Sequence, residues 1–226
     1  MAKEKKQKIS VLIVDDHPLL REALKNVLIK DDEFTIIGEA GDGEEAAKMA
    51  LEMNPQVVVM DISMPKMNGL EATRQIKSGN PNISVLALTV HTEDEYILDI
   101  LQAGAAGYLI KNVYGKEVVQ AIKAVASGDM VLSPTIGKNL LKHAARYPTK
   151  PINLEAGEKL SIRELEVLKL AAQGRTNMEI AEKLNINQRT VKGYLTEIFS
   201  KLRVGSRTEA VITGLRAGYI SIDDLQ

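Results

Sequence analysis

Asp15 and Asp16 stand together at the end of the apolar run ISVLIV, and Asp61 closes a second run, VVVM. Thr89 and Lys111 follow two further runs of the same kind. If the first and third runs are neighbouring strands, three carboxylates converge on one sheet edge. Two like charges about 4 Å apart repel by about 4 kcal/mol at an effective dielectric near 20, so the cluster calls for a cation. An all-oxygen ligand set favours Mg2+, which keeps several waters and binds through one or two carboxylates. A hydroxyl at Thr89 and an ammonium at Lys111 suit the oxygens of a phosphoryl group. Transfer of that group to a carboxylate needs charge neutralisation more than covalent help. Asp61, the most central of the three acids, is the expected nucleophile. Any one of these residues alone reads as a solvated turn or a helix cap, as Asp16 would at a helix start. Five of them in strand order make the specific signal.

The elements that must position them are legible as five short apolar runs, at about 9–14, 34–38, 56–60, 83–88 and 106–110. Stretches of helical spacing such as Leu20, Leu24, Val27 and Leu28 separate them. Runs apolar on successive residues suit parallel strands covered on both faces. The expectation is a flavodoxin-like, doubly wound (βα)5 α/β domain over residues 1–127, with functional residues beyond the carboxyl ends of the strands. A short helix and a linker are expected over 128–157, where prolines appear and periodicity weakens. Residues 158–226 carry only helical signals, in segments at about 161–173, 176–184, 187–203 and 206–217, and read as a small all-α four-helix domain.

Composition sets the outer bounds. A chain of 226 residues exceeds one typical domain of about 100–150 residues and suits two. With 45% hydrophobic and 26% charged residues it is an ordinary globular sequence. It has no cysteine, which excludes disulfides, thiolate metal sites and thiol catalysis. Its apolar runs fall far short of the roughly 20 residues a membrane helix needs, and no signal peptide is visible, so a cytoplasmic protein without a membrane partner is expected.

The segments VLIVDDHPLLREAL, VVVMDISMPKMNGLEATRQIK and LALTVHTEDEYILDILQAGAAGYLIK together resemble the receiver domain of NarL/FixJ-type response regulators over about residues 8–127. That resemblance implies phosphorylation from a sensor histidine kinase and Mg2+ held by Asp15, Asp16, Asp61 and the backbone carbonyl of Ser63. It also implies phosphate sensing by Thr89 and Lys111, with Tyr108 at the aromatic switch position. Such a receiver catalyses only its own phosphorylation and dephosphorylation and is not otherwise an enzyme.

In LSIRELEVLKLAAQGRTNMEIAEKLNINQRTVKGYLTEIFSKLRVGSRTEAV, a helix capped by Thr176 or Asn177 leads through Leu184 to Asn187 into a second helix. Leu168, Ala171, Ile180, Ala181, Leu184, Val191, Leu195, Ile198 and Leu202 fall at core spacing. Basic residues outnumber acidic ones by about four between Arg163 and Arg216, with Arg175, Arg189, Lys192, Lys201, Arg203 and Arg207 around the turn and second helix. Such a face can neutralise phosphates. The segment resembles the LuxR-type helix-turn-helix domain over about 158–217. The resemblance implies binding of double-stranded DNA, with helix 187–203 in the major groove. Lys192, Gly193 and Thr196 then face the groove, and Thr176, Asn177, Arg189 and Thr190 hold phosphates. The last helix dimerises in that family, so a phosphorylated homodimer is expected.

Phosphorylation then controls DNA binding, either by uncovering a recognition helix or by dimerisation; the sequence does not choose. Two rivals stand beside this reading. An aspartate-nucleophile phosphatase often carries a second acid two residues later, where this chain has Ser63. A DNA-binding regulator that uses its receiver only as a phosphorylation-independent contact surface lacks a reason for the complete acidic set.

Overall fold

In a computed structural model, the described residues are 8–90, 94–111, 115–132, 159–221 and 224. Five parallel strands, β1 (Ile9–Val14), β2 (Phe34–Ala40), β3 (Val57–Asp61), β4 (Ser84–Thr89) and β5 (Gly107–Ile110), form one sheet in the order β2-β1-β3-β4-β5. The crossover helices are α1 (Pro18–Leu28), α2 (Gly43–Met53), α3 (Gly69–Gly79), α4 (Asp94–Gln102) and α5 (Lys116–Ala126). The three central strands are buried almost end to end, as expected for a sheet covered on both faces. One layer packs Leu24, Leu28 and Ile122 against Val11, Ile13, Val57 and Val59, and the other packs Ala46, Ala50 and Ile76 against Leu12, Val58 and Met60. The order reverses between β1 and β3, so the switch point of this sheet lies where Asp15 and Asp61 emerge.

The α/β unit runs a little past residue 127. The Val131 amide donates to the Ala106 carbonyl, and the Tyr108 amide donates to the Val131 carbonyl, so this segment extends the β5 edge. The helix and linker expected across 128–157 lie, beyond residue 132, outside the described residues.

Among the described residues four helices follow: α6 (Ile162–Ala172), α7 (Asn177–Leu184), α8 (Gln188–Leu202) and α9 (Arg207–Arg216). Ser161 and Thr176 each close a capping box, with Glu164 and Glu179 at the third helical position. Asn187 and Ser206 cap α8 and α9 by accepting the amides of Thr190 and Glu209. Each start therefore coincides with a Ser, Thr or Asn, which is why the boundaries were legible. Of the core residues read from spacing, all are buried except Leu184, which packs against the cluster half-buried.

The β3–α3 turn is the tightest piece of backbone around the acidic edge. The Gly69 amide donates to the Ile62 carbonyl, and a Cβ there would lie 2.8 Å from Ile62 Cα and closer still to the Asp61 carbonyl. Gly69→Ala is therefore expected to lower stability by about 1–3 kcal/mol. Thermal and denaturant unfolding read this, and a wild-type midpoint would contradict the close approach.

Candidate functional site

The structure brings together the three acids and the lysine read from the sequence. Asp15 and Asp61 are each 1% exposed, and Lys111 bridges them, its Nζ 2.8 Å from Asp15 Oδ2 and 2.7 Å from Asp61 Oδ2. Asp15 Oδ1 accepts from the His17 amide at 2.9 Å, and Asp61 Oδ1 accepts from the Ser63 amide at 3.2 Å. The Asp15 carbonyl is held by Arg21 Nη1 at 2.6 Å. Asp61 and Thr89 are the last residues of their strands, and the Lys111 amide donates to the Thr89 carbonyl at 2.7 Å, which ties the ends of β4 and β5 together. The Thr89 side chain is buried at the same edge, and Ser63 is exposed.

Burial raises the Asp61 carboxyl above the ordinary aspartate range; the contacts with Lys111 offset part of that, and the neighbouring Asp15 charge adds to it. Burial also works against the Lys111 ammonium, but its bonds to Asp15 and Asp61 outweigh this and hold it above the ordinary lysine value. Carboxylate oxygens of Asp15, Asp16 and Asp61 and a ring nitrogen of His17 lie within 4.8 Å of one another. Asp16 Oδ1 is buried without a directed hydrogen bond, although His17 Nδ1 lies 2.7 Å away. One ammonium among three carboxylates leaves the edge negative, and this close set of carboxylate oxygens fits a divalent cation.

In the helical unit, Arg189, Lys192, Gly193, Thr196 and Glu197 lie on the exposed face of α8, opposite the buried Val191, Leu195 and Ile198. A Cβ on Gly193 would meet nothing within 4 Å, so no internal packing requires glycine there. Thr196 Oγ1 donates back to the Lys192 carbonyl, and Thr190 is tied to Asn187 Oδ1. Thr176 serves its own capping box. Two of the basic residues counted toward a phosphate-facing surface are consumed internally. Lys201 pairs with Glu164 at 2.7 Å, and Arg207 is 4% exposed. Asn177 is buried as well, for a reason the sequence did not carry: its amide and its Nδ2 donate to Asp129 and Ser127 beyond α5, and its Oδ1 accepts from Arg207.

Two family models cover most of the chain. The response regulator receiver domain matches residues 11–123, and the model for bacterial regulatory proteins of the luxR family matches residues 158–213. The chain is 36% identical to the transcriptional regulatory protein DegU of Brevibacillus brevis over 95% of this chain and 96% of that one. It belongs to the two-component response regulators with a LuxR-type DNA-binding domain. The response regulator UvrY of Escherichia coli is 37% identical over 96% of this chain and 98% of its own. A crystal structure of the response regulator ChrA of a heme-sensing two-component system superposes with a TM-score of 0.50 at 33% identity, covering 94% of this chain and 99% of that one. The regulator is thus a transcriptional regulator, and no described helix is long and apolar enough to cross a membrane.

In this response regulator the two units touch. Ile212 of α9 is buried in one cluster with Ile97, Ile100 and Leu101 of α4 and with Tyr108 of β5; Leu215 packs alongside. Lys77, at the end of α3, donates to the carbonyls of Pro81 and Ile83 and faces Glu209; burial lowers its pKa to about 8, with the Glu209 charge opposing. Between the units lies a cleft of about 990 Å3, lined by Lys192 and Thr196 on one side and Arg74 and Lys77 on the other. That is the scale of a small-molecule pocket of about 300–1,000 Å3 and not of a duplex.

An acid whose folded pKa is raised destabilises the fold as pH climbs from its ordinary value, 3.8 for aspartate, through the raised one. At neutral pH without divalent metal, Asp61→Asn should therefore melt at or above the wild-type temperature. Added Mg2+ should raise the wild-type melting temperature more than that of the variant. A variant that melts well below wild type in metal-free buffer would contradict the electrostatic account of the site.

Proposed function

We propose that Asp61 is the phosphoacceptor and that its phosphorylation by a sensor histidine kinase controls DNA binding by the helix-turn-helix. The observation that carries this is the pair of nearly fully buried carboxylates, Asp15 and Asp61, bridged by Lys111. An Asp61 oxygen attacks the phosphorus of a phosphohistidine; the P–O bond forms as the P–N bond breaks, and the imidazole keeps the electron pair and takes up a proton. Lys111 supplies positive charge to the equatorial oxygens, and the Thr89 hydroxyl donates a hydrogen bond to one of them once the acyl phosphate has formed. Mg2+, the divalent ion this donor set suits, would be held by Asp15, Asp16, Asp61 and the Ser63 carbonyl and would neutralise the incoming charge. The ordinary receiver boundaries, 1–127 with a connector to 157 and a DNA-binding domain over 158–226, and a cytoplasmic setting go with this reading.

The contact between α4 and α9 supports a closed resting state. Thr89 ends β4, Tyr108 lies in β5 beside it, and Tyr108 shares its apolar cluster with Ile212. A movement of Thr89 toward the phosphoryl group repacks Tyr108, and the α9 seat on α4 is lost. Release of α9 frees the helix that dimerises and, by opening the cleft that Lys192 and Thr196 line, gives a duplex access to the exposed face that carries Lys192, Gly193 and Thr196. The two routes the sequence left open then become one. Arg189 and Thr190, with Thr176 and Asn177, hold DNA phosphates in the released domain.

Acetyl phosphate with Mg2+ should add one phosphoryl group, seen by intact mass, and tighten binding to duplex DNA; Asp61→Asn should show neither change. Tighter binding by Asp61→Asn in response to the donor would overturn the assignment. Lys192→Ala should weaken DNA binding by about five- to a hundred-fold while phosphorylation proceeds at the wild-type level. Unchanged affinity would remove Lys192 from the DNA contact surface.

A further inference from the structure

The N-terminus of α7 already holds an anion, and that anion comes from the other unit. Asp129 Oδ1 accepts from the Asn177 amide at 2.8 Å, and the Ser127 carbonyl accepts from Asn177 Nδ2 at 2.8 Å. The Asn177 amide is the first of α7 and is not used by the capping box, which takes the amides of Thr176 and Glu179. Arg207 closes the site from α9. Its Nη1 lies 3.3 Å from Asn177 Oδ1 and 3.6 Å from Asp129 Oδ1, its Nη2 donates to the Arg175 carbonyl, and its Nε is buried without a partner. A first-turn amide, the positive end of a helix and a buried guanidinium form an anion site of the kind that holds phosphates.

We propose that Asp129 is a built-in substitute for a DNA phosphate: its carboxylate occupies the phosphate site at the α7 N-terminus, so that receiver and DNA compete for the same donors. The inference rests on the DNA-binding reading above and deepens it, since it names the atoms through which the closed state excludes DNA. Asp129 follows α5 and lies two residues before Val131, which is hydrogen-bonded to Tyr108. A shift of Tyr108 therefore acts on the Asp129 segment directly as well as on the α4–α9 contact. The partnerless Arg207 Nε fits a ligand with more acceptor oxygens than one carboxylate, which a phosphate provides.

The test uses the full-length unphosphorylated chain and a fluorescent random-sequence 30-base-pair duplex at fixed salt. Asp129→Ala is expected to bind it about 5- to 150-fold more tightly than wild type, the range of an ordinary coupling between two sites. Asp129→Asn, which keeps the acceptor oxygen and loses the charge, is expected to gain less and reads the charge effect even if the alanine variant is poorly folded. The gain should be the same on duplexes of different sequence, because phosphate contacts carry no base information. Hydrogen exchange at the Asn177 amide should be slow in wild type, faster in both variants, and slow again with duplex bound. If both variants bind like wild type while acetyl phosphate still tightens wild-type binding, the phosphate-substitute role is overturned and the response-regulator reading stands. If no form binds duplex with or without the donor, both are overturned.

Discussion

Everything in the receiver half follows from two carboxylates that the sheet forces out of water. Asp15 and Asp61 are each 1% exposed at the ends of neighbouring strands, and a single ammonium, from Lys111, lies between them. Burying like charges is costly unless they are paired, and one cation cannot satisfy three acids. The edge is therefore poised to take up positive charge or to convert a carboxylate into something else, and the proposed phosphorylation of Asp61 belongs to the second kind of response. The tight β3–α3 turn at Gly69, the Arg21 bond to the Asp15 carbonyl and the Lys111 amide bond to Thr89 all fix the strand ends that hold this arrangement.

The same edge is mechanically continuous with the DNA-binding half. Thr89 and Tyr108 lie on adjacent strands, and Tyr108 shares an apolar cluster with α4 and with Ile212 of α9. The Val131 segment is bonded to Tyr108 and leads back to Asp129 at the α7 N-terminus. Besides Lys77 facing Glu209, an apolar contact and a polar one thus hold the helical unit against the receiver, and both connect to the same aromatic residue. A switch of a few kcal/mol at such a seam shifts the closed and open populations by orders of magnitude.

Much of this was legible because local physics set it. The apolar runs came within two residues of the observed strands, since strands covered on both faces leave unbroken hydrophobic segments. The starts of α6 to α9 were marked by Ser161, Thr176, Asn187 and Ser206, whose side chains accept amides that would otherwise be unpaired. Asp15, Asp16, Asp61, Thr89 and Lys111 lie at one sheet edge, as their places after successive apolar runs led the sequence reading to expect. The expectations that needed adjustment concern pairing at a distance. Lys201 and Arg207 counted toward an open basic face by charge and proximity to the turn, yet Lys201 is held by Glu164 and Arg207 is buried beside Asn177 and Asp129. Asp129 gave no signal, because its partner is 48 residues away and no periodicity links a helix N-terminus to a residue in another unit.

The central claim, that the receiver holds the DNA-binding unit closed and that Asp61 opens it, is tested most directly by a distance. The chain has no cysteine, so Gln75→Cys on α3 and Glu182→Cys on α7, both exposed, can carry a pair of spin labels without background. Pulsed dipolar spectroscopy should give one short, narrow distance in the unphosphorylated protein and a longer, broader distribution with Mg2+ and acetyl phosphate. In the Asp61→Asn background the short distance should persist under the same donor. An unchanged short distance in a protein shown to be phosphorylated, with DNA affinity nevertheless increased, would contradict the account.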